Sequence, residues 1–291
     1  MLLNFCDLDI FLLYYLDIKS IFNLASISKD ENALITSLDF VKELILLKSK
    51  YRYINTKNTI DYAATNNYIS ILKWFDRSNN DFIYTQNAID NAAANGYIDI
   101  IKWFDESRHE FLYTSDAINL ASAKARIDIL DWFDKSMYVF KYNKNAVYQA
   151  CSYSHIGVLE WFDKSRYKFK YSKYAISAAV SAGHTNVLDW FAKSNYEFKY
   201  DEYTICEAVK RSQINVLDWF DKSPYEFIYN EDTIDLALKN RNLIVLEWFY
   251  NSKYEFKYSI GAMYQTIKYQ NHKIIDWFKT LDKNKITIVY K

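Results

Sequence analysis

Apolar positions along the chain recur with a helical spacing that restarts at fixed intervals. In the stretch 85–113, Ile89, Ala92, Ala93 and Gly96 fall at i, i+3, i+4 and i+7, and Tyr97, Ile100, Ile101 and Phe104 do so again. Residues three and four apart share a helix face, so the pattern predicts two short amphipathic helices with a break between them. The alternation Phe111, Leu112, Tyr113 then predicts a short extended connector that drops its aromatics onto the neighbouring helices. All eight tryptophans are followed by phenylalanine, at Trp74, Trp103, Trp132, Trp161, Trp190, Trp219, Trp248 and Trp277, and every interval is 29 residues. A fixed period in the range of roughly 20–50 residues marks stacked structural repeats. Each unit can bury its faces only against its neighbours, so the tryptophan column is assigned to the inter-repeat core and not to a ladder for stacked ligands. Four glycines and one proline are too few for the turns of a barrel or sandwich. The expected fold class is all-α, a solenoid of eight 29-residue helix-turn-helix repeats over residues 56–287, with 288–291 as a tail.

Polar positions mark the joints. Asn58, Asn87, Asp116, Asn145 and Asp232 are expected to cap the first helix of their units, because their side chains can accept from an orphan amide. Serine recurs four residues after the tryptophan in seven units, at Ser78, Ser107, Ser136, Ser165, Ser194, Ser223 and Ser252. The aspartates that follow Trp-Phe, at 76, 105, 134, 163 and 221, read as a solvated edge.

Composition narrows the function. With 51% apolar residues among 291, the chain can bury a large core, which excludes a disordered or collagen-like protein. Its 36 Lys+Arg balance 36 Asp+Glu, and zero net charge disfavours a protein that coats phosphate backbones. Cys6, Cys151 and Cys206 are scattered, without a CxxC pair, as in a reduced intracellular protein. The hydrophobic first 28 residues are interrupted by Asp7, Asp9 and Asp17 and lack a basic leader, so neither a signal peptide nor a membrane span is expected. His155 and His184 share the phase of the turn between helices, while His109 and His272 stand alone in theirs; all four read as polar turn residues. The pairs Cys151–His155, Asp105–His109 and His272–Asp276 lack the further ligands that a structural zinc requires. Phosphate-loop, nucleophile-elbow and dinucleotide motifs are absent from the sequence, so no catalytic, cofactor or metal residue is assigned and a non-enzymatic protein is expected.

The unit resembles an ankyrin repeat. Asn87-Ala88-Ile89-Asp90-Asn91-Ala92-Ala93 stands where that family has Thr-Pro-Leu-His-x-Ala-Ala, Gly96-Tyr97 stands for Gly-His, Ile100-Ile101 for Val-Val and Trp103-Phe104 for Leu-Leu. Ala178-Ala179, Gly183-His184 and Val187-Leu188 match in the fifth unit. Against the family's roughly 33-residue unit the missing residues fall in the connector, so the β-hairpin fingers of the family are expected to be shortened or absent. The inter-helix glycine is replaced by Asn67, Ala125, Ser154, Ser212, Arg241 and Gln270. Either the turn differs there, or the aromatic core offsets about 1 kcal/mol or more of left-handed strain at each. Richness in Ile, Asn, Lys, Tyr and Phe with the Trp-Phe-x-x-Ser unit is similar in style to divergent ankyrin proteins of giant amoebal DNA viruses, which implies a host-cell cytoplasmic or nuclear location.

The resemblance implies a concave groove lined by residues at the end of each first helix, positions that vary from unit to unit. That assigns Tyr153, Lys210, Arg211, Lys239, Asn240, Arg241, Lys268 and Tyr269 to a groove for a protein partner, basic toward its later units. Residues 1–38 resemble part of an F-box. The matching residues are Leu16-Asp17-Ile18-Lys19-Ser20-Ile21 and Leu24-Ala25-Ser26-Ile27-Ser28-Lys29, without the family's opening Leu-Pro or the tryptophan after the basic residue. This implies adaptor docking through Leu12, Leu13, Leu16, Ile18, Ile21 and Leu24; the other reading of 1–38 is a plain cap sealing the first repeat. Residues 39–55 read as a half repeat joining the two parts. The function expected is a protein-protein interaction scaffold, in its sharper form a substrate adaptor for a cullin-type ubiquitin ligase. The alternative is a nucleic-acid-associated or virion structural protein using the basic half of the groove.

Overall fold

The computed structural model describes residues 56–77 and 82–290. The proposed F-box-like residues, the half repeat and Ser78 lie outside them. The chain divides into two compact units, Met1–Ala146 and Val147–Lys291. Among the described residues there are sixteen α-helices and little strand. In the first unit the helices are α1 (Thr56–Thr65), α2 (Ile69–Arg77), α3 (Gln86–Asn95), α4 (Ile98–Glu106), α5 (Ser115–Ala123) and α6 (Ile127–Lys135), with the unit ending inside α7 (Lys144–Ser152). The second unit continues with α8 (Ile156–Lys164), α9 (Lys173–Ala182), α10 (Thr185–Lys193), α11 (Glu202–Lys210), α12 (Ile214–Lys222), α13 (Glu231–Lys239) and α14 (Leu243–Asn251). It closes with strand β1 (Phe256–Ser259), α15 (Ile260–Lys268), α16 (His272–Lys279), a short 3-10 turn and β2 (Ile286–Val289). Helices pair within each 29-residue period, and in both units first helix packs on first helix.

Two turns hold each pair. The turn inside the pair is left-handed at every inter-helix position, at Gly96 and Gly183 and also at Asn67, Ala125, Ser154, Ser212, Arg241 and Gln270, with φ between 51° and 77°. The turn therefore does not differ where glycine is missing, and six L-residues carry its strain. After the second helix the recurring serine works as a hinge: Ser107 Oγ donates to Phe104 O at 2.8 Å and accepts from the His109 amide. Ser136, Ser165, Ser194, Ser223 and Ser252 repeat the arrangement. The connectors that follow are extended, and none forms a β-hairpin among the described residues. The last one, β1, pairs in parallel with β2 in the register Phe256↔Ile286. The predicted tail from residue 288 is thus half of a strand.

The core ring is not the tryptophan. Phe75, Phe104, Phe133, Phe162, Phe191, Phe220 and Phe249 are buried, whereas Trp74 alone of the tryptophans is buried and Trp103, Trp132, Trp161, Trp190, Trp219, Trp248 and Trp277 are half-buried. The reason is the helical phase. The phenylalanine shares a face with the two apolar residues four and three positions before it, Ile100 and Ile101 for Phe104, while the tryptophan sits one residue round, over the connector. There it closes an aromatic sandwich. Phe111 lies against Trp132 at 5.6 Å and stacks on Tyr138 at 4.2 Å; in the second unit Phe169, Phe198 and Phe227 repeat this against Trp190/Tyr196, Trp219/Tyr225 and Trp248/Tyr254.

First helices begin two residues earlier than the polar pattern predicts. The N-caps are Thr85, Thr114, Ser172, Asp201, Asn230 and Ser259, and Asn87, Asp116 and Asp232 fall in the first turn. Three of these starts are held by an aspartate of the preceding first helix. Asp61 accepts from the Thr85 amide at 2.8 Å and hydroxyl at 2.5 Å, Asp90 does the same for Thr114, and Asp235 accepts from the Ser259 amide at 2.7 Å. Two other starts, at Asp201 and Asn230, carry a capping box closed by Thr204 and Thr233.

Candidate functional site

The periodic polar residues are consumed by the stack. Tyr138 Oη donates to Asp105 Oδ1 at 2.9 Å and Tyr196 Oη to Asp163 Oδ1 at 3.0 Å. Four of the five aspartates expected as a solvated edge, Asp76, Asp105, Asp163 and Asp221, pair with the following repeat, Asp105 and Asp163 while exposed. Burial, reinforced by the adjacent carboxylate, pushes the Tyr138 and Tyr196 phenols up to about 12. His109 takes the tyrosine's place one repeat before Tyr138: its ring stacks on Phe82 at 3.9 Å and Nε2 lies 2.8 Å from Asp76 Oδ1. It is a stacking partner and not a free turn residue. A second tyrosine column ties connectors together, with Tyr171, Tyr200 and Tyr229 donating to the carbonyls of Glu197, Glu226 and Glu255 at 2.6–3.0 Å, and Tyr113 to that of Val139. Among the described residues no His/Cys/Asp/Glu group is arranged to hold a metal ion. No described helix is long and apolar enough to cross a membrane.

What remains exposed is the set that varies between repeats. Tyr153, Lys210, Arg211, Lys239, Asn240, Arg241, Lys268 and Tyr269 are all exposed. Three of them, Lys239, Arg241 and Tyr269, converge on one cleft of about 750 Å³ between α13 and α15 in the second unit. The rest do not. Lys210 is drawn to Glu207 Oε1 at 3.3 Å, Lys268 lies 5.9 Å from the centre of the Tyr269 ring, Tyr153 stacks on His155, and Arg211 and Asn240 stand outside the cleft.

The cleft has a polarity along its length. Asp232 stands at the start of α13, Lys239 at its end and Arg241 in the left-handed turn beyond, so its acidic and basic ends are separated by about seven residues, roughly 10 Å of helix. Leu236, Leu238 and Ala262 give it an apolar floor, and Gln265, Thr266 and Asn271 face it from the other side. Sequence reasoning missed Gly261, Gln265 and Asn271. The available signal was Gly261, which stands in the column occupied by Tyr174, Tyr203 and Asp232 in the three preceding repeats.

No family model matches the chain, and no curated protein is similar to it in sequence. The site is accordingly read from its own chemistry.

Proposed function

We propose that the chain is a non-enzymatic protein-protein interaction scaffold of divergent ankyrin type, built of eight 29-residue repeats without fingers, whose partner binds along the exposed ends of the first helices. One observation carries this reading. Residues that recur at every 29 positions are occupied in joining repeats, while the residues that differ are exposed, and three of them line one cleft. Repeat arrays bind through such aperiodic surface positions because the repeated ones are fixed by stacking. In the sharper form, Leu12, Leu13, Leu16, Ile18, Ile21 and Leu24 dock on the adaptor subunit of a cullin-type ubiquitin ligase and the first-helix surface holds the target. The giant-virus likeness in composition would make that target a host protein.

Affinity capture from lysate tests both parts, using the full chain, a Leu16→Asp/Leu24→Asp variant and an Arg211→Glu/Lys239→Glu/Arg241→Glu variant. The scaffold reading expects a partner lost with the charge reversal. The adaptor form expects ligase subunits lost only with the leucine substitutions. Capture of no protein by any form contradicts the scaffold. Capture of nucleic acid that falls steeply with salt would favour the phosphate-binding alternative, which zero net charge disfavours.

A further inference from the structure

Building on the scaffold reading, we infer that the cleft between α13 and α15 is a subsite for an acidic residue of an extended protein segment, its carboxylate held by Arg241, Lys239 and Asn271. Three observations converge on it.

Gly261 is the first. It lies inside α15 with no positive φ, and a Cβ built on it would come no closer than 3.8 Å to Ser259 Oγ, so neither backbone nor packing demands glycine. Glycine is a poor helix former even where, as here, it is the second residue of the helix. What it provides is space, since Tyr174 and Tyr203 fill the same column in other repeats and are exposed there.

Asn271 is the second. In the three preceding repeats the residue in this column reaches back to a carbonyl near the end of a first helix: His184 Nε2 to Ser152 O at 3.1 Å, Gln213 Nε2 to Ser181 O at 3.0 Å, Asn242 Nδ2 to Val209 O at 3.2 Å. Asn271 lines the cleft, and its Nδ2 is buried without a partner. A buried amide left unbonded is costly, and an acceptor delivered by a ligand satisfies it.

The third is charge. Lys239 and Arg241 line the same end of the cleft and neither makes an ion pair among the described residues, in contrast to Lys210 on Glu207. At the opposite end, Asp235 Oδ1 is held by the Ser259 amide and Asp232 adds a second carboxylate. That arrangement admits one anionic group at the Arg241 end and repels a chain of phosphates along the whole cleft. A guanidinium takes a carboxylate with two parallel hydrogen bonds, and the floor of Leu236, Leu238 and Ala262 seats the apolar neighbour of the acidic residue. The volume, about 750 Å³, suits a short peptide segment, within the roughly 300–1,000 Å³ of ligand sites generally.

The test is selection of a displayed random hexapeptide library on the full-length protein. Expected is an enrichment of Asp or Glu at one position of at least tenfold over the unselected library. Arg241→Glu should abolish it, and so should Gly261→Tyr, which introduces the side chain carried here by two earlier repeats at Tyr174 and Tyr203 and should leave the circular dichroism spectrum and melting temperature unchanged. Absence of acidic enrichment, its survival in either variant, or retention of a labelled single-stranded oligonucleotide in preference to peptide each overturns the assignment. Loss of this subsite with lysate capture intact leaves the scaffold standing. Absence of lysate capture by the unsubstituted chain removes the scaffold reading.

Discussion

The start of α5 is held by a residue of the first helix before it, whereas the start of α11 is held by its own first turn. In the region around residues 56–123, Asp61 and Asp90 reach across 24 residues to the next N-cap threonine. In the region around 173–239 the same column carries Ser177 and Cys206, too short to span that gap, and each contacts instead a threonine three residues into the next helix, Thr204 or Thr233. Where the column is aspartate, the residue three past the N-cap is alanine, at Ala88, Ala117 and Ala262; where it is serine or cysteine, that residue is threonine. The N-cap amide thus has two acceptors, a carboxylate of the neighbouring repeat in the first region and the threonine hydroxyl of its own first turn in the second. Asn119 belongs to neither: its Oδ1 and Nδ2 are buried without partners.

The largest expected effect is one that should not distinguish the regions. Phe104→Ala and Phe191→Ala should each cost about 3–5 kcal/mol in urea unfolding, the range for a fully buried ring. A clear inequality would move the difference into the core and break the comparison. Next, Asp90→Ala strands a half-buried amide and hydroxyl and should cost about 2 kcal/mol, against about 1 kcal/mol for Asp201→Ala, a helix cap that leaves water nearby. Adding Ala117→Thr to Asp90→Ala builds the local box in place of the distant carboxylate and should recover about 1 kcal/mol. A gain of similar size, about 1 kcal/mol, is expected for Ala125→Gly and Ser154→Gly alike, because both relieve a left-handed residue at the same turn.

Acid titration gives the smallest and sharpest contrast. Burial holds the Asp90 carboxyl above its ordinary range, so the folded state takes up that proton first and acidification through the folded pKa adds relative stability. The Lys173 ammonium, 2.6 Å away, holds Asp201 below the ordinary range. Its contribution is present above the unfolded carboxylate pKa and is lost as pH falls through the folded one. Asp201→Asn should therefore flatten the acid limb of a stability-against-pH curve below about pH 4, and Asp90→Asn should steepen the curve just above that pH, between the unfolded and the raised folded pKa.

The helix pairs were legible because the 29-residue period and the i, i+3, i+4 apolar spacing are local and repeat without a slip. What was not legible depended on contacts across repeats. The caps at Thr85 and Thr114 lie in a period-29 polar column, yet their partner sits 24 residues earlier, outside any capping motif. The burial of Phe104 over Trp103 follows from one step of helical phase that residue size alone obscured. Asp76 with His109 and Asp105 with Tyr138 meet only once connectors fold back. The cleft arises where the pattern fails, at Gly261 and Asn271, so a reading built on recurrence passed over it.

Hydrogen exchange by mass spectrometry on Asp90→Ala and Asp201→Ala tests most directly whether helix starts are held by the neighbouring repeat in one region and locally in the other. The expected result is faster exchange at residues 114–120 in Asp90→Ala, a helix that does not contain the substitution, and faster exchange confined to the first turn of α11 in Asp201→Ala. Exchange that rises only within α3 for Asp90→Ala, or equally across two helices for both variants, would contradict it.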